Sequence, residues 1–395
     1  MPIPPVVLEW LQLLLRWTHV MAAILWIGDS FLFMWMDASL ARPSAARPGT
    51  AAGELWMTHS GGFYEVVKHR SLAALPDRLF WFQWQSYATW LSGVALLVVV
   101  FAAGGRALLL DGGATLPHGV ALALAFALLP LAVLLYELLC RAVRSDAALA
   151  AAGLAACAAL AWGLGQLYTS RAAFLLVGAA LGTVMTANVF LAIVPAQRRM
   201  LSATRAGVPV DTTPGARAKR RSVHNHYLTF PVLFTMLASH FASFHAHRFA
   251  WAALALLFAG SAGVKLWMNL RGRMSRPLLA GTVACFVAVA ALTAPPGESA
   301  AVRALASHPP VDPGEAYAIV QARCVACHAV RPAFAGFGPA PAGVTFESPE
   351  QMSAWSERIL TRVVETRTMP LGNLTGMTDE ERVRLGAWAR QQRRR

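Results

Sequence analysis

The sequence predicts an all-α protein: an eight-span transmembrane helix bundle followed by a small soluble domain. Three observations predict it. Of 395 residues, 56% are apolar and only 14% charged, where a soluble globular chain carries about 25% charge. The apolar residues gather in runs of about 20, the length a helix needs to cross a bilayer core of about 30 Å. Near residue 295 the composition turns polar and stays so. With a mean hydropathy of +0.49, this pattern argues against a soluble enzyme, a disordered chain or a collagen-like chain.

The apolar runs place spans near Leu8–Met36, Leu79–Ala103, Gly119–Val143, Ala147–Leu167, Ala172–Pro195, Tyr227–Phe244, Phe249–Leu270 and Pro277–Ala294. Orientation follows from the short loops between them. With the N-terminus outside, the inner loops hold 17 Arg and Lys and the outer loops three. A bias of that size puts the basic loops in the cytoplasm. The start, MPIPPVVLEWLQ, has no basic region or small-residue cleavage site, so it is not expected to be a cleaved leader. The net charge of +14 is explained by these loops, and no nucleic acid is expected as a partner.

The expected domains are 1–295 (bundle), 296–312 (a linker rich in Pro, Ala, Ser and Gly) and 313–395 (soluble domain). Eight spans leave that domain outside with the N-terminus. Its last helix should start at Thr378, with Glu381 three residues on as a capping box.

Cys140, Cys157 and Cys285 lie inside apolar runs. Cys324 and Cys327 instead form CVACH with His328, the attachment signature of a c-type haem. Two thiols at this spacing add to the two vinyl groups of one haem, and His328 supplies one axial ligand to the iron. Met369, in RTMPLGN, is the expected second axial ligand, and a Met/His pair raises the haem potential. Met352 and Met377 are the competing thioethers. A zinc site would need further Cys or His downstream, and none follows His328. The soluble domain is therefore expected to be class I-like cytochrome c. Covalent haem is attached outside the bacterial cytoplasmic membrane, the side that the loop charges give independently.

Ionisable groups inside spans are costly and mark function by default. His19 and His240 fall in the outer half of their spans and are candidate ligands of a haem b, with His245 as a substitute. The inner side is richer: Asp29, Asp37, and a loop reading GELWMTHSGGFYEVVKHR with Glu54, His59, Tyr64 and Lys68. Glu137, Asn188, His224, Asn225, His226, Lys265 and Asn269 fall near the same level on other spans.

The segments THVMAAILWIGDSFLFMWMDASL, GELWMTHSGGFYEVVKHR, HNHYLTFPVLFTMLASH and TMPLGNLTGMTDEER resemble the bacterial membrane-bound urate oxidases (urate hydroxylases) that carry a fused cytochrome c domain. The resemblance covers essentially the whole chain. It implies oxidation of urate to 5-hydroxyisourate in purine breakdown. Electrons would leave through haem c to the respiratory chain, by a periplasmic cytochrome c or a terminal oxidase, without hydrogen peroxide. The haem ligands Cys324, Cys327, His328 and Met369 carry over; urate ligands do not. The implied location is the bacterial inner membrane, among lipid, with the N-terminus and the cytochrome domain periplasmic.

Urate is a planar anion, so its site needs a cation, amide-like edge partners, an aromatic face and a base. Lys68, Arg70 or Lys265 are candidates for the charge, and Asn188 or Asn225 for the edge. Trp56, Phe63, Tyr64 or Trp267 would stack, and His59 and Glu54 are the candidate bases. The rival reading is a quinol- or haem-linked electron conduit that feeds the cytochrome without urate chemistry.

Overall fold

The computed structural model describes residues 4–43, 51–69, 76–103, 105–111, 114–245, 249–294, 300–333 and 340–392. Arg70 and residues 296–299 of the expected linker lie outside them. In chain order come α1 (Pro5–Ser39), strands β1 (Ala51–His59) and β2 (Gly62–His69), and α2 (Trp84–Leu97), which continues as a π-helical turn at Val98–Ala103. Then follow α3 (His118–Ala142), α4 (Asp146–Leu167) and α5 (Ser170–Ala187). A π-helical stretch at Asn188–Ile193 joins α5 to α6 (Val194–Arg205). Next are α7 (Thr213–Ala238), the single turn α8 (Ala242–His245), α9 (Ala250–Asn269) and α10 (Arg276–Thr293).

Seven described helical stretches are long and apolar enough to cross a membrane. They match seven of the eight expected spans, with α5 and α6 forming one continuous stretch from Ser170 to Arg205. The remaining one, α7, has 26 residues but is too polar. Its first half carries Arg217, Lys219, Arg220 and Arg221, and the helix ends at Ala238, six residues before the expected end.

The bundle is organised around α5, which packs against α2, α3, α4 and α7. Its buried residues, from Ala172 and Phe174 to Val184 and Thr186, cover its whole circumference, the mark of a fully enclosed helix. Without a hydrophobic drive between helices in lipid, close backbone approach must hold them. A Cβ at Gly178 would overlap the Thr235 side chain, and one at Gly263 would overlap Thr282. These glycines let α5 reach α7 and α9 reach α10. The outer surface is apolar: Trp10, Leu13, Trp17, Ile24 and Leu25 of α1 are all exposed, as lipid-facing residues should be.

The loop after α1 departs from the all-α expectation. β1 and β2 pair antiparallel, Thr58 opposite Phe63 and Trp56 opposite Glu65. Ser60 and Gly61 both have positive φ, 51° and 77°, the pattern of a two-residue type I′ hairpin turn. Aromatic and β-branched residues in β2 favour the strand. The hairpin is fastened to the end of α1 by paired backbone bonds between Ala41 and Glu54, 2.9 and 3.1 Å, and by Lys68 Nζ to Asp37 Oδ1 at 2.5 Å.

The C-terminal domain holds α11 (Ala300–Ala304), α12 (Pro313–Arg323), α13 (Pro349–Ala354), α14 (Ser356–Ile359, continued π-helically over Leu360–Glu365) and α15 (Asp379–Gln392). It has a core of its own around Val320, Met352, Leu385 and Trp388, separate from that of the bundle. Val302 and Leu305 belong to that core, 1% and 6% exposed. Part of the expected linker is therefore folded onto the domain. Thr378 and Glu381 exchange hydrogen bonds of 2.8 and 3.1 Å, the expected capping box. The domain meets the bundle where Leu371–Asn373 touches Arg106–Leu108, between α2 and α3. That is the end of the bundle opposite the hairpin.

Candidate functional site

At the hairpin end, α3, α5 and α7 bring a polar network together. Residues three and four apart share a helix face, so Glu137 and Arg141 line up on α3, and Arg217, Arg221 and His224 on α7. Asn188 enters from the start of the π-helical stretch after α5; such π segments recur at functional sites. Arg221 Nη2 pairs with Glu137 Oε2 at 2.8 Å, and its guanidinium carbon lies 4.8 Å from the centre of the Tyr136 ring. Tyr136 Oη is 2.7 Å from His224 Nδ1 and accepts from Asn188 Nδ2 at 3.1 Å. Asn188 Nδ2 also donates to Asn225 Oδ1 at 2.9 Å, and Asn225 Nδ2 to the Met185 carbonyl at 2.9 Å. Asn188 is 2% exposed and fully satisfied. A buried network with every member paired is rigid.

Over this network opens a cleft of about 330 Å³ lined by Glu137, Cys140, Arg141, Arg217, Arg220, Arg221 and His224. Arg220 is fixed by Asp146 Oδ1 at 2.7 Å and by the Arg144 carbonyl at 3.1 Å. Among the described residues Arg141 and Arg217 make no ion pair.

The sequence-expected residues divide. Asn188 sits at the centre of the network. Lys265 is 1% exposed, with Nζ 4.1 Å from the centre of the Phe31 ring. The cavity nearby, lined by Trp26, Ser30, Asn225 and His226, has only about 10 Å³, room for one water. Tyr64 and Lys68 are on β2, Tyr64 opposite Met57 and Lys68 bound to Asp37. Glu54 lies in β1. His59 is exposed at the hairpin turn, its Nδ1 2.7 Å from Ser60 Oγ. Tyr136 and Arg221 were missed: Tyr136 reads as one more apolar residue of a span, and Arg221 as one of many loop cations. The signal lay in the spacing of Arg217, Arg221 and His224, one helix face carried up to the membrane.

In the C-terminal domain, α12 ends at Cys324, and the Cys327 and His328 amides turn back onto the Cys324 carbonyl at 3.1 and 2.9 Å. His328 Nδ1 bonds the Val344 carbonyl at 3.0 Å. A carbonyl only accepts, so Nδ1 carries the proton and Nε2 keeps its lone pair. Burial lowers the His328 pKa, against that carbonyl bond, and favours the neutral ring. Both cysteines are free; burial pushes the Cys324 thiol up to about 12, with Cys327 adding to the rise and Arg382 opposing it. Met369 packs against the same core as Cys324 and Val325. The buried Arg382 holds its loop, donating to the carbonyls of Met369 at 2.7 Å and Val363 at 2.9 Å. Among the described residues no group of three or more His, Cys, Asp or Glu could hold a metal ion. Two free thiols three residues apart, an imidazole with an unprotonated Nε2 and a braced thioether fit a covalently held haem.

His19 on α1 faces α2. Its Nδ1 lies 2.9 Å from the Thr89 carbonyl and 3.1 Å from Ser92 Oγ, and a Cβ at Gly93 would come within 2.9 Å of the ring. His240 is exposed just beyond α7. His245, in α8, is drawn down to about 4 by burial and then by Arg171 and Arg362, which favours its neutral ring.

A family model described as urate oxidase N-terminal matches residues 5–294. The chain belongs to this urate oxidase family. The match covers the whole helix bundle with its network and cleft and stops where α10 ends. It ties the bundle to urate and to oxidoreductase chemistry, and the seven apolar helices suit a multi-pass membrane protein of this family. Searches of curated proteins and of solved structures found no match.

Proposed function

We propose that the protein is a membrane-bound urate oxidase whose reducing equivalents leave through its own cytochrome domain. The family match over the bundle carries this reading, and the CVACH domain supports the electron route. Urate and one water give 5-hydroxyisourate, two protons and two electrons, and no hydrogen peroxide is formed. The substrate site belongs at the hairpin end, where the cations, amides and aromatic rings gather. His59 and Glu54 of the hairpin and His224 of the cleft are the groups there that can take a proton.

Cys324 and Cys327 would hold haem c by thioether bonds, and His328 Nε2 and Met369 Sδ are the residues that would ligate its iron. Bound there, the haem would supply one-electron acceptance. The protein's residues set its surroundings: Val344 orients the imidazole and Arg382 steadies the methionine loop.

The two ends of the bundle lie far apart. Along α3, Tyr136 is about 27 Å from His118 at 1.5 Å per residue. One electron-transfer step over such a length would be too slow for enzyme turnover, so this reading calls for a carrier within the bundle. A haem b is the candidate, with His19, whose Nδ1 is already engaged, and His240 or His245 as the residues that would hold it. The concentration of basic loops at the hairpin end supports a cytoplasmic hairpin and a periplasmic cytochrome domain in a bacterial inner membrane. A periplasmic cytochrome c or a terminal oxidase would then be the acceptor.

Anaerobic membranes test the reading. Urate should raise the reduced α-band of haem c. No rise, in membranes where dithionite does reduce the haem, overturns it and favours an electron conduit without urate chemistry. A pyridine haemochromogen spectrum should show b-type as well as c-type haem; c-type alone removes the haem b carrier.

A further inference from the structure

We infer that the arginine-lined cleft between α3 and α7 is the seat of the urate anion, with Arg217 and Arg221 holding its charge and the Tyr136–Asn188 network forming the floor. This assignment rests on the urate reading and names where in the bundle the substrate sits.

Four properties carry it. The cleft has about 330 Å³, within the range of small-ligand sites, about 300–1,000 Å³, whereas the cavity lined by Trp26, Ser30 and His226 has about 10 Å³ and excludes a purine. Four guanidinium groups face a single carboxylate in its lining. Carboxylates fix two of those cations, Arg220 through Asp146 and Arg221 through Glu137, so Arg221 presents a guanidinium already held in place, and among the described residues Arg217 and Arg141 make no ion pair. A guanidinium fork matches a planar anion at two points, which an ammonium does not. Finally, the floor is preorganised: the amide of Asn188 is already locked between Tyr136 and Asn225, so little ordering is left for binding to impose.

The surrounding arginines also suit a phospholipid headgroup, and the test separates the two. Purified holoprotein is reduced with dithionite, so that urate binds without turning over, and labelled urate is titrated by equilibrium dialysis. The measurement is made in nanodiscs of phosphatidylcholine and of phosphatidylcholine with phosphatidylglycerol. Wild type should bind saturably in both. Arg217→Gln and Arg221→Gln should weaken binding about tenfold or more, the scale of one charge-assisted bond, while Arg273→Gln at the same end should not. Arg217 is exposed and makes no ion pair among the described residues, so its variant reports even if loss of the Glu137 partner prevents Arg221→Gln from folding. Wild-type affinity in Arg217→Gln, with urate still reducing haem c, overturns this assignment and leaves the urate reading standing. Urate excluded by phosphatidylglycerol, with the arginine variants losing lipid instead, also overturns it. Failure of wild type both to bind urate and to be reduced by it fells the urate reading itself.

Discussion

Arg382 Nη1 donates to the Met369 carbonyl at 2.7 Å, from a side chain that is 6% exposed. The same guanidinium also reaches the Val363 carbonyl and Asn373 Oδ1. A buried cation thus ties the last helix to the loop that presents the expected haem thioether. In Arg382→Gln the loop should loosen. The near-red absorption band of Met-ligated ferric haem should weaken, and the midpoint potential should fall, because the Met/His pair is what raises it. Visible spectra and a redox titration of the full-length protein check this. An unchanged band and potential would show that the loop stands without Arg382.

Tyr136 links three helices through one hydroxyl. Tyr136→Phe removes the acceptor of Asn188 and the partner of His224. Leaving a buried polar group one partner short costs about 1–3 kcal/mol. The variant should melt earlier in detergent and bind urate more weakly, with haem c content unaltered. A melting temperature equal to wild type would mean that water replaces the hydroxyl.

Gly61 holds φ at +77° in the hairpin turn, a conformation that costs a β-branched residue about 1–2 kcal/mol. Gly61→Val should open β1 and β2 without disturbing the bundle. Faster cleavage between Ala51 and His69 in limited proteolysis, with an unchanged melting temperature, is the expected pair of results. Turnover that falls along with the hairpin would place the proton acceptor at His59 or Glu54 rather than at His224.

Glu381 is opposed by burial but held below the usual carboxylate range by hydrogen bonds from Arg323 and Thr378 and by the Arg323 charge. A carboxylate with a depressed folded-state pKa stabilises above its unfolded pKa of about 4.3 and loses that contribution as pH falls through the folded value. Glu381→Gln should therefore be less stable than wild type at pH 7, and the difference should shrink in strongly acid solution. Urea titrations of the two proteins at several pH values, followed by fluorescence, would show the curves converging. Curves that stay parallel would mean that Arg323 contributes nothing through Glu381.

Much of this was legible in the chain. Seven spans, the Thr378–Glu381 cap and the CVACH turn rest on local pattern, and local pattern survives folding. Asn188, Glu137 and His224 were placed at one level by counting along helices, and the structure joins them. The hairpin was hidden because GELWMTHSGGFYEVVKH reads first as a run of reactive groups, although its Ser-Gly turn and β-branched residues were there to see. The π-helical stretch at Asn188 has no such local signature. Val302 and Leu305 look like linker until a distant core receives them. Arg382 sits in DEERVRLGAWARQQ, which reads as an ordinary surface helix, and only the tertiary fold buries it.

The mixed character of α7 bears on how the molecule is made. From Tyr227 to Ala238 its apolar part runs about 18 Å, well short of a hydrocarbon layer of about 30 Å, and the arginines that precede it resist being drawn into lipid. During synthesis this segment would not settle in lipid alone. It must be received by α5 through the notch at Gly178 and by Glu137 for its charge, so the partners that later floor the cleft also act as its port of entry.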